Sequence, residues 1–143
     1  MVEYFLGINR WINDHFAFLS SFAFRDGIVL SFIVGTSLAA DFLSAQGVSI
    51  VARNARTRYG ELDVVGCMDG MTVIFEVKTR TTDKFGFPED AISRTKRQHL
   101  MDASLAFLQD HPELPEEMRI DVVAIRLFPG SQPEIKWFVN AVS

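Results

Sequence analysis

The stretch Glu61 to Arg80, ELDVVGCMDGMTVIFEVKTR, decides how this chain folds. Asp69-Gly70 is a favoured two-residue hairpin turn, because both central positions of such a turn need the left-handed backbone that Gly and Asp tolerate. Met68 is then expected to face Met71, and stepping outward sets Asp63 opposite Glu76 and Glu61 opposite Lys78. Alternation along each strand groups Leu62, Val64, Val73, Phe75 and Val77 on one face and Glu61, Asp63, Glu76 and Lys78 on the other. The first face is expected to pack and the second to do chemistry.

Facing carboxylates on paired strands stand roughly 5 Å apart at Cβ and destabilise the sheet. A divalent cation between Asp63 and Glu76 would offset that repulsion, since Mg²⁺ takes one or two carboxylates together with waters and phosphate oxygens. Lys78 could then orient or deprotonate an attacking water, or neutralise a phosphate. The pattern suits phosphodiester hydrolysis. The blander alternative is an exposed hairpin whose charges are satisfied by Lys78 and nearby arginines.

Outward from the hairpin, Gly35 to Ala45 reads as a helix through Leu38, Ala39 and Phe42, with Gly47 as its C-terminal cap. Val48 to Arg58 reads as a strand entering a basic segment. Glu89 to Gln109 reads as a helix entered after Pro88, with Ile92, Leu100, Ala103 and Phe107 turned to the core. Strands over Ile120 to Leu127 and Ile135 to Val139 follow, separated by Pro129 and Gly130. The order predicts a mixed α/β domain over residues 35–143. Residues 1–34 form a separate extension, in which Phe5, Ile8, Ile12, Phe16, Leu19 and Phe22 recur at helical spacing.

The chain has 143 residues, enough for one domain with a real core, and 48% of them are hydrophobic. Its only cysteine, Cys67, excludes an intrachain disulfide and any thiolate zinc cluster, and a reducing cytoplasm is the expected location. The uncharged run from Gly27 to Ala40 is short of the ~20 residues a spanning helix needs, so a membrane anchor is not expected. The net charge of -4 argues against a generic nucleic-acid binder. Nine of the fourteen basic residues nevertheless fall between Arg53 and Arg97, which permits a local positive face.

The segments GELDVV (Gly60 to Val65), VIFEVKTR (Val73 to Arg80), FGFPEDAI (Phe85 to Ile92), Lys96, Leu100 and RIDVVAI (Arg119 to Ile125) together resemble the YraN family. These are uncharacterised bacterial proteins, predicted endonucleases similar to archaeal Holliday junction resolvases within the PD-(D/E)XK superfamily. The resemblance implies a restriction-endonuclease-like fold with an αβββαβ core. It further implies Asp63 and Glu76 as metal ligands, the Val77 carbonyl as another ligand, Lys78 as the catalytic lysine, and Mg²⁺ or Mn²⁺ as cofactor. By the same resemblance, relatives usually carry a Glu directly after the glycine that opens the first helix, whereas Thr36 follows Gly35 here. A neutral hydroxyl binds Mg²⁺ more weakly than a carboxylate, and Glu61 could compensate.

Arg53, Arg56, Arg58, Arg80 and Lys96 are the expected nucleic-acid contacts, holding phosphates without reading bases. Tyr59, Phe85 and Phe87 could stack on unpaired bases, although core packing suits at least two of them better. The histidines lack metal-ligand spacing, and neither a nucleophile elbow nor a Gly-rich phosphate loop occurs.

The leading expectation is therefore a metal-dependent endonuclease acting on DNA, with branched or flapped DNA suggested by the resemblance. A symmetric dimer would suit a two-fold branched substrate, though no residue demonstrates one. The alternatives are a DNA-binding protein of the same fold that cuts nothing, and an interaction module docked through the N-terminal helix.

Overall fold

The computed structural model describes residues 27–80, 92–127 and 132–142. The expected amphipathic helix over positions 5–22, Lys84, Phe85 and Phe87 lie outside them. Helix α1 (Gly27–Ala45) is followed by strands β1 (Ser49–Thr57), β2 (Gly60–Met68) and β3 (Met71–Arg80). Helix α2 (Arg94–Asp110) and strands β4 (Met118–Arg126) and β5 (Glu134–Val142) complete the order. The five strands form one sheet in the order β1-β2-β3-β4-β5, in which only β3 and β4 run parallel. The helical crossover α2 supplies the long connection a parallel pair requires. This is the mixed α/β, restriction-endonuclease-like architecture that the sequence predicts.

Local chemistry fixes the elements. Helix α1 ends in a Schellman arrangement, with Val48 N–H donating to the Leu43 carbonyl and Gly47 N–H to that of Ser44, at 3.0 and 3.1 Å. The Gly47 φ of +94° is what this cap demands. At the hairpin, Asp69 (φ +53°) and Gly70 (φ +75°) form the expected turn, and Met68 faces Met71. Helix α2 begins later than the Pro88 signal suggests. Its N-cap is Ser93, whose hydroxyl accepts from Lys96 N–H at 3.2 Å. Ser outranks the neighbouring residues as a cap because its oxygen satisfies an otherwise orphaned amide.

Both faces of the sheet are covered, which corrects the division into one packing face and one chemical face. Leu38, Ala39 and Leu43 of α1 pack on Val64, Val73, Phe75, Val77, Val123 and Ile125. Leu100, Ala103 and Phe107 of α2 pack on Val65, Ile74, Ile120 and Val122. Val65 and Ile74 share the alternation phase of the acids, so the face carrying the acids is apolar at its centre and charged only toward one end. Leu62 also belongs to the α2 side, not beside Val64 as strict alternation predicts. The recorded β2–β3 pairing stops at Val64↔Phe75. Asn54, opposite Asp63 on β1, takes a left-handed φ of +49°, and regular alternation fails at this irregularity.

Gly35 lies in α1 where an added Cβ would collide with the Thr79 hydroxyl, so glycine permits the close approach of helix and β3. The helix crosses position 35 without a break, and among the described residues no helix is long and apolar enough to cross a membrane.

Asp121, fully buried on β4, organises the opposite edge. Its carboxylate accepts from Arg119 Nε at 3.1 and 3.2 Å, Trp137 Nε1 at 2.8 Å and the Asn140 backbone N–H at 2.7 Å. The β4–β5 register shifts between Ile120 and Val122, and Asn140 adopts φ +51° within that irregularity. The Trp137 ring meets Phe75 edge-on at 5.9 Å. Asp121 thus ties the β5 irregularity to the core, with its oxygens saturated by donors. Asp121→Ala leaves those donors without their acceptor and is expected to cost about 3 kcal/mol in urea unfolding. A loss below about 1 kcal/mol would contradict this role.

Candidate active site

Beyond the last recorded β2–β3 pair, Val77 N–H does not meet a strand partner on β2. It donates to Asp63 Oδ2 at 2.7 Å, so a side chain replaces the ladder bond. The β2–β3 ladder, which runs from Met68↔Met71 to Val64↔Phe75, thus does not include the expected direct facing of Asp63 with Glu76 or of Glu61 with Lys78. In a β-strand a residue's N–H and C=O leave on the same side. The Val77 carbonyl therefore points toward the side from which regular β2 pairing has withdrawn.

Asp63 and Glu76 are only 6% and 5% exposed. Glu76 Oε1 receives Lys78 Nζ at 3.2 Å from its own strand and also Lys96 Nζ from the first turn of α2. The Lys96–Glu76 contact joins the crossover helix to the single acid of β3. Arg94, Lys96 and Arg97 crowd that first turn without any acid, against the preference of a helix N-terminus for negative charge. Glu76 supplies the missing anion from across the interface.

The cluster pairs two carboxylates with two ammonium groups. Burial, then repulsion from Glu76, pushes the Asp63 carboxyl up from 3.8 to about 6, against the opposing pull of the Val77 hydrogen bond and the two lysines. Burial and the neighbouring Lys96 hold Lys78 below the ordinary lysine range, although Glu76 pulls the other way. For Lys96 burial is outweighed by its hydrogen bond and charge attraction to Glu76, and its pKa is raised.

The remaining expected residues are dispersed. Glu61 pairs with Arg56 at 3.6 Å across the β1–β2 hairpin. Arg53 reaches Asp41 on α1 at 3.7 Å. Arg58 lies over the Tyr59 ring in the turn between Thr57 and Gly60. Arg80 is exposed on β3, two residues beyond Lys78 and in the same alternation phase. Thr36 is buried on α1 beside Gly35, at the level where that helix packs on β3. Lys96, expected only as a phosphate contact, is brought into the carboxylate cluster. Ser93 was the sequence signal for that placement, since a cap there fixes which residue occupies the first turn.

The site as a whole is a buried Asp, a Glu-Val-Lys strand and a helix-borne lysine at one end of the sheet of a mixed α/β domain. Residues 35–125 match the model of the uncharacterised protein family UPF0102, and the chain belongs to that family, the YraN family. Among its relatives is a UPF0102 protein of Mycolicibacterium vanbaalenii, 44% identical over 103 residues, covering 71% of this chain and 84% of the relative. A UPF0102 protein of Nocardia farcinica is 43% identical, with 71% and 80% covered. Another, from Syntrophomonas wolfei, is 40% identical over 107 residues, with 75% and 92% covered.

The raised Asp63 pKa has a definite sign in stability. Its folded value exceeds its unfolded one, so its stabilising contribution is complete below about 4 and is lost as pH rises through about 6. In chelator-containing buffer, Asp63→Asn is expected to gain stability relative to the wild type as pH rises from 4 to 7, by up to about 3 kcal/mol. Urea unfolding of both proteins at each pH measures that difference. A flat difference would show that Asp63 ionises as easily in the fold as outside it.

Proposed function

We propose that this protein is a metal-dependent endonuclease that hydrolyses DNA phosphodiesters, at branched or flapped DNA, within the cytoplasm. The observation that carries the proposal is the convergence of Asp63, Glu76, Lys78 and Lys96 from two strands and a helix onto one end of a buried sheet face. Two nearly buried carboxylates with an elevated Asp pKa are costly to stability, and such costs concentrate where chemistry is done.

The residues present fit Mg²⁺ or Mn²⁺. Two carboxylates and the Val77 carbonyl are hard oxygen ligands, and Mg²⁺ completes its shell with water and phosphate oxygens. Among the described residues no group of three or more His, Cys, Asp or Glu side chains could hold a metal, so a cation here depends on backbone, water and substrate for its other ligands. When bound, the cation would neutralise charge on the scissile phosphate and acidify water. Asp63 and Glu76 would hold it, with Glu76 releasing at least part of its lysine contact. Lys78 would orient the attacking water and accept its proton, and Lys96, once released from Glu76, would neutralise the phosphate. Arg80 extends the positive line for the DNA backbone.

A second reading, a DNA-binding protein of the same fold that cuts nothing, is favoured by two features. Thr36 presents a neutral hydroxyl where the family resemblance implies Glu, and Lys78 and Lys96 both pair with Glu76.

Purified protein incubated with fluorescent linear, flapped and four-way DNA plus Mn²⁺ separates the two readings. The expected result is metal-dependent cutting, reduced at least ~10³-fold by Asp63→Ala or Glu76→Ala and roughly 10²- to 10⁴-fold by Lys78→Ala. Binding without cutting would select the second reading, and cutting that survives both acid substitutions would reject this site.

A further inference from the structure

The turn between β1 and β2 carries a feature that the carboxylate cluster does not use. Thr57 pairs with Gly60, leaving Arg58 and Tyr59 as a two-residue tip. Tyr59 is 44% exposed, and the Arg58 guanidinium lies 4.8 Å from the centre of its ring. A lone exposed aromatic is unremarkable by itself. This one is built in. The Thr57 hydroxyl donates to the Gly60 carbonyl at 2.8 Å and accepts from Tyr59 N–H at 3.1 Å, so one side chain fixes the backbone on both sides of the ring. Gly60, at φ +141°, takes a conformation that other residues rarely adopt.

Charge distinguishes Arg58 from its neighbours. Arg53 is paired with Asp41 and Arg56 with Glu61, whereas among the described residues no carboxylate pairs with Arg58. Its guanidinium covers one aromatic ring and can reach a phosphate.

Position ties the tip to the acids. Strand β2 begins and β3 ends at the same end of the sheet, because the two are antiparallel. Tyr59 precedes Asp63 by four residues and Arg80 follows Glu76 by four. At the strand rise, both therefore lie ~13 Å beyond the acids. That is the length of about four stacked nucleotides at ~3.4 Å each.

We infer that the Arg58–Tyr59 tip is a stacking platform for an unpaired nucleotide of the DNA strand whose phosphodiester lies at Asp63 and Glu76. A flat aromatic ring beside a guanidinium offers a base a stacking surface and its phosphate a cation. Bases inside a duplex have both faces covered by their neighbours and cannot use such a surface. The platform therefore selects DNA with an unpaired run near the cleavage point, within about four nucleotides of it. This inference rests on the nuclease reading for the location of the strand, while the platform itself is tested by binding alone.

The test is fluorescence anisotropy, in Ca²⁺ to hold back cleavage, with a blunt duplex and the same duplex bearing tails of 2, 4 and 8 unpaired nucleotides. Wild type is expected to gain affinity with tail length up to about four nucleotides. Tyr59→Ala is expected to lose about tenfold on the tailed DNA and stay within twofold on the blunt duplex. Tyr59→Phe retains the tail preference, Tyr59→Leu does not, and Arg58→Gln loses part of it. Thermal melting of each variant accompanies the titrations. If Tyr59→Ala does not fold, the Phe and Leu variants decide the matter. A wild type that binds no DNA, a tail that brings no affinity, or losses equal on tailed and blunt DNA would overturn the inference. Parallel reactions in Mn²⁺ keep the two claims apart. Tyr59-dependent tail binding without cutting removes the nuclease reading and leaves the platform. Cutting that ignores both tail and Tyr59 does the reverse.

Discussion

The hydrogen bond from Val77 N–H to the Asp63 carboxylate is the constraint around which this fold is arranged. By replacing a strand-to-strand bond with a strand-to-side-chain bond, it ends the β2–β3 ladder without leaving a buried amide unsatisfied. It fixes Asp63 beside Glu76 in a setting where burial opposes ionisation of Asp63. Strand alternation near Asp63 breaks at the same place, so that Leu62 joins the α2 side while Val64 remains on the α1 side.

Everything brought to the cluster from afar answers that concentration of negative charge. Lys78 comes from the same strand, but Lys96 arrives only because α2 starts at Ser93 and packs Leu100, Ala103 and Phe107 on the sheet. The first turn of α2 carries bases where helix electrostatics favour acids. Glu76 reconciles the two elements. Folding of the crossover and assembly of the cluster are one event, and removing either partner leaves charges without their counterparts. The far edge of the sheet shows another solution to a buried acid. Asp121 is saturated by Arg119, Trp137 and Asn140 and has no acceptor capacity aimed elsewhere, so it reads as architecture. Among the described residues, Asp63 is engaged through Oδ2 and Glu76 through Oε1, which leaves each a further oxygen of the kind a cation site requires.

Much of this was legible in the residues. The Asp69-Gly70 turn fixes the hairpin register because only a tight turn of that type fits its two residues, and the order of elements follows from period and punctuation. The core residues of α2 could be named from helical spacing. The end of the ladder could not be read, because it depends on a carboxylate outcompeting a backbone carbonyl for one amide. The double covering of the sheet is hidden in the sequence because Val65 and Ile74 share their alternation phase with the four charges Glu61, Asp63, Glu76 and Lys78. The structural role of Asp121, which lies inside an apolar run, is not readable from the sequence, since its partners come from a strand irregularity that periodicity does not encode.

By itself the sequence determined the family, the hairpin and the types of chemical group available, because turn chemistry and side-chain alternation act over neighbouring residues. Tertiary structure decided which of those groups meet. Lys96 joins Glu76, Glu61 turns to Arg56, Arg53 to Asp41, and Arg58 stays on its turn with Tyr59. Charge pairing across elements depends on helix start points and on where a ladder stops, and both are settled by packing over long chain separations.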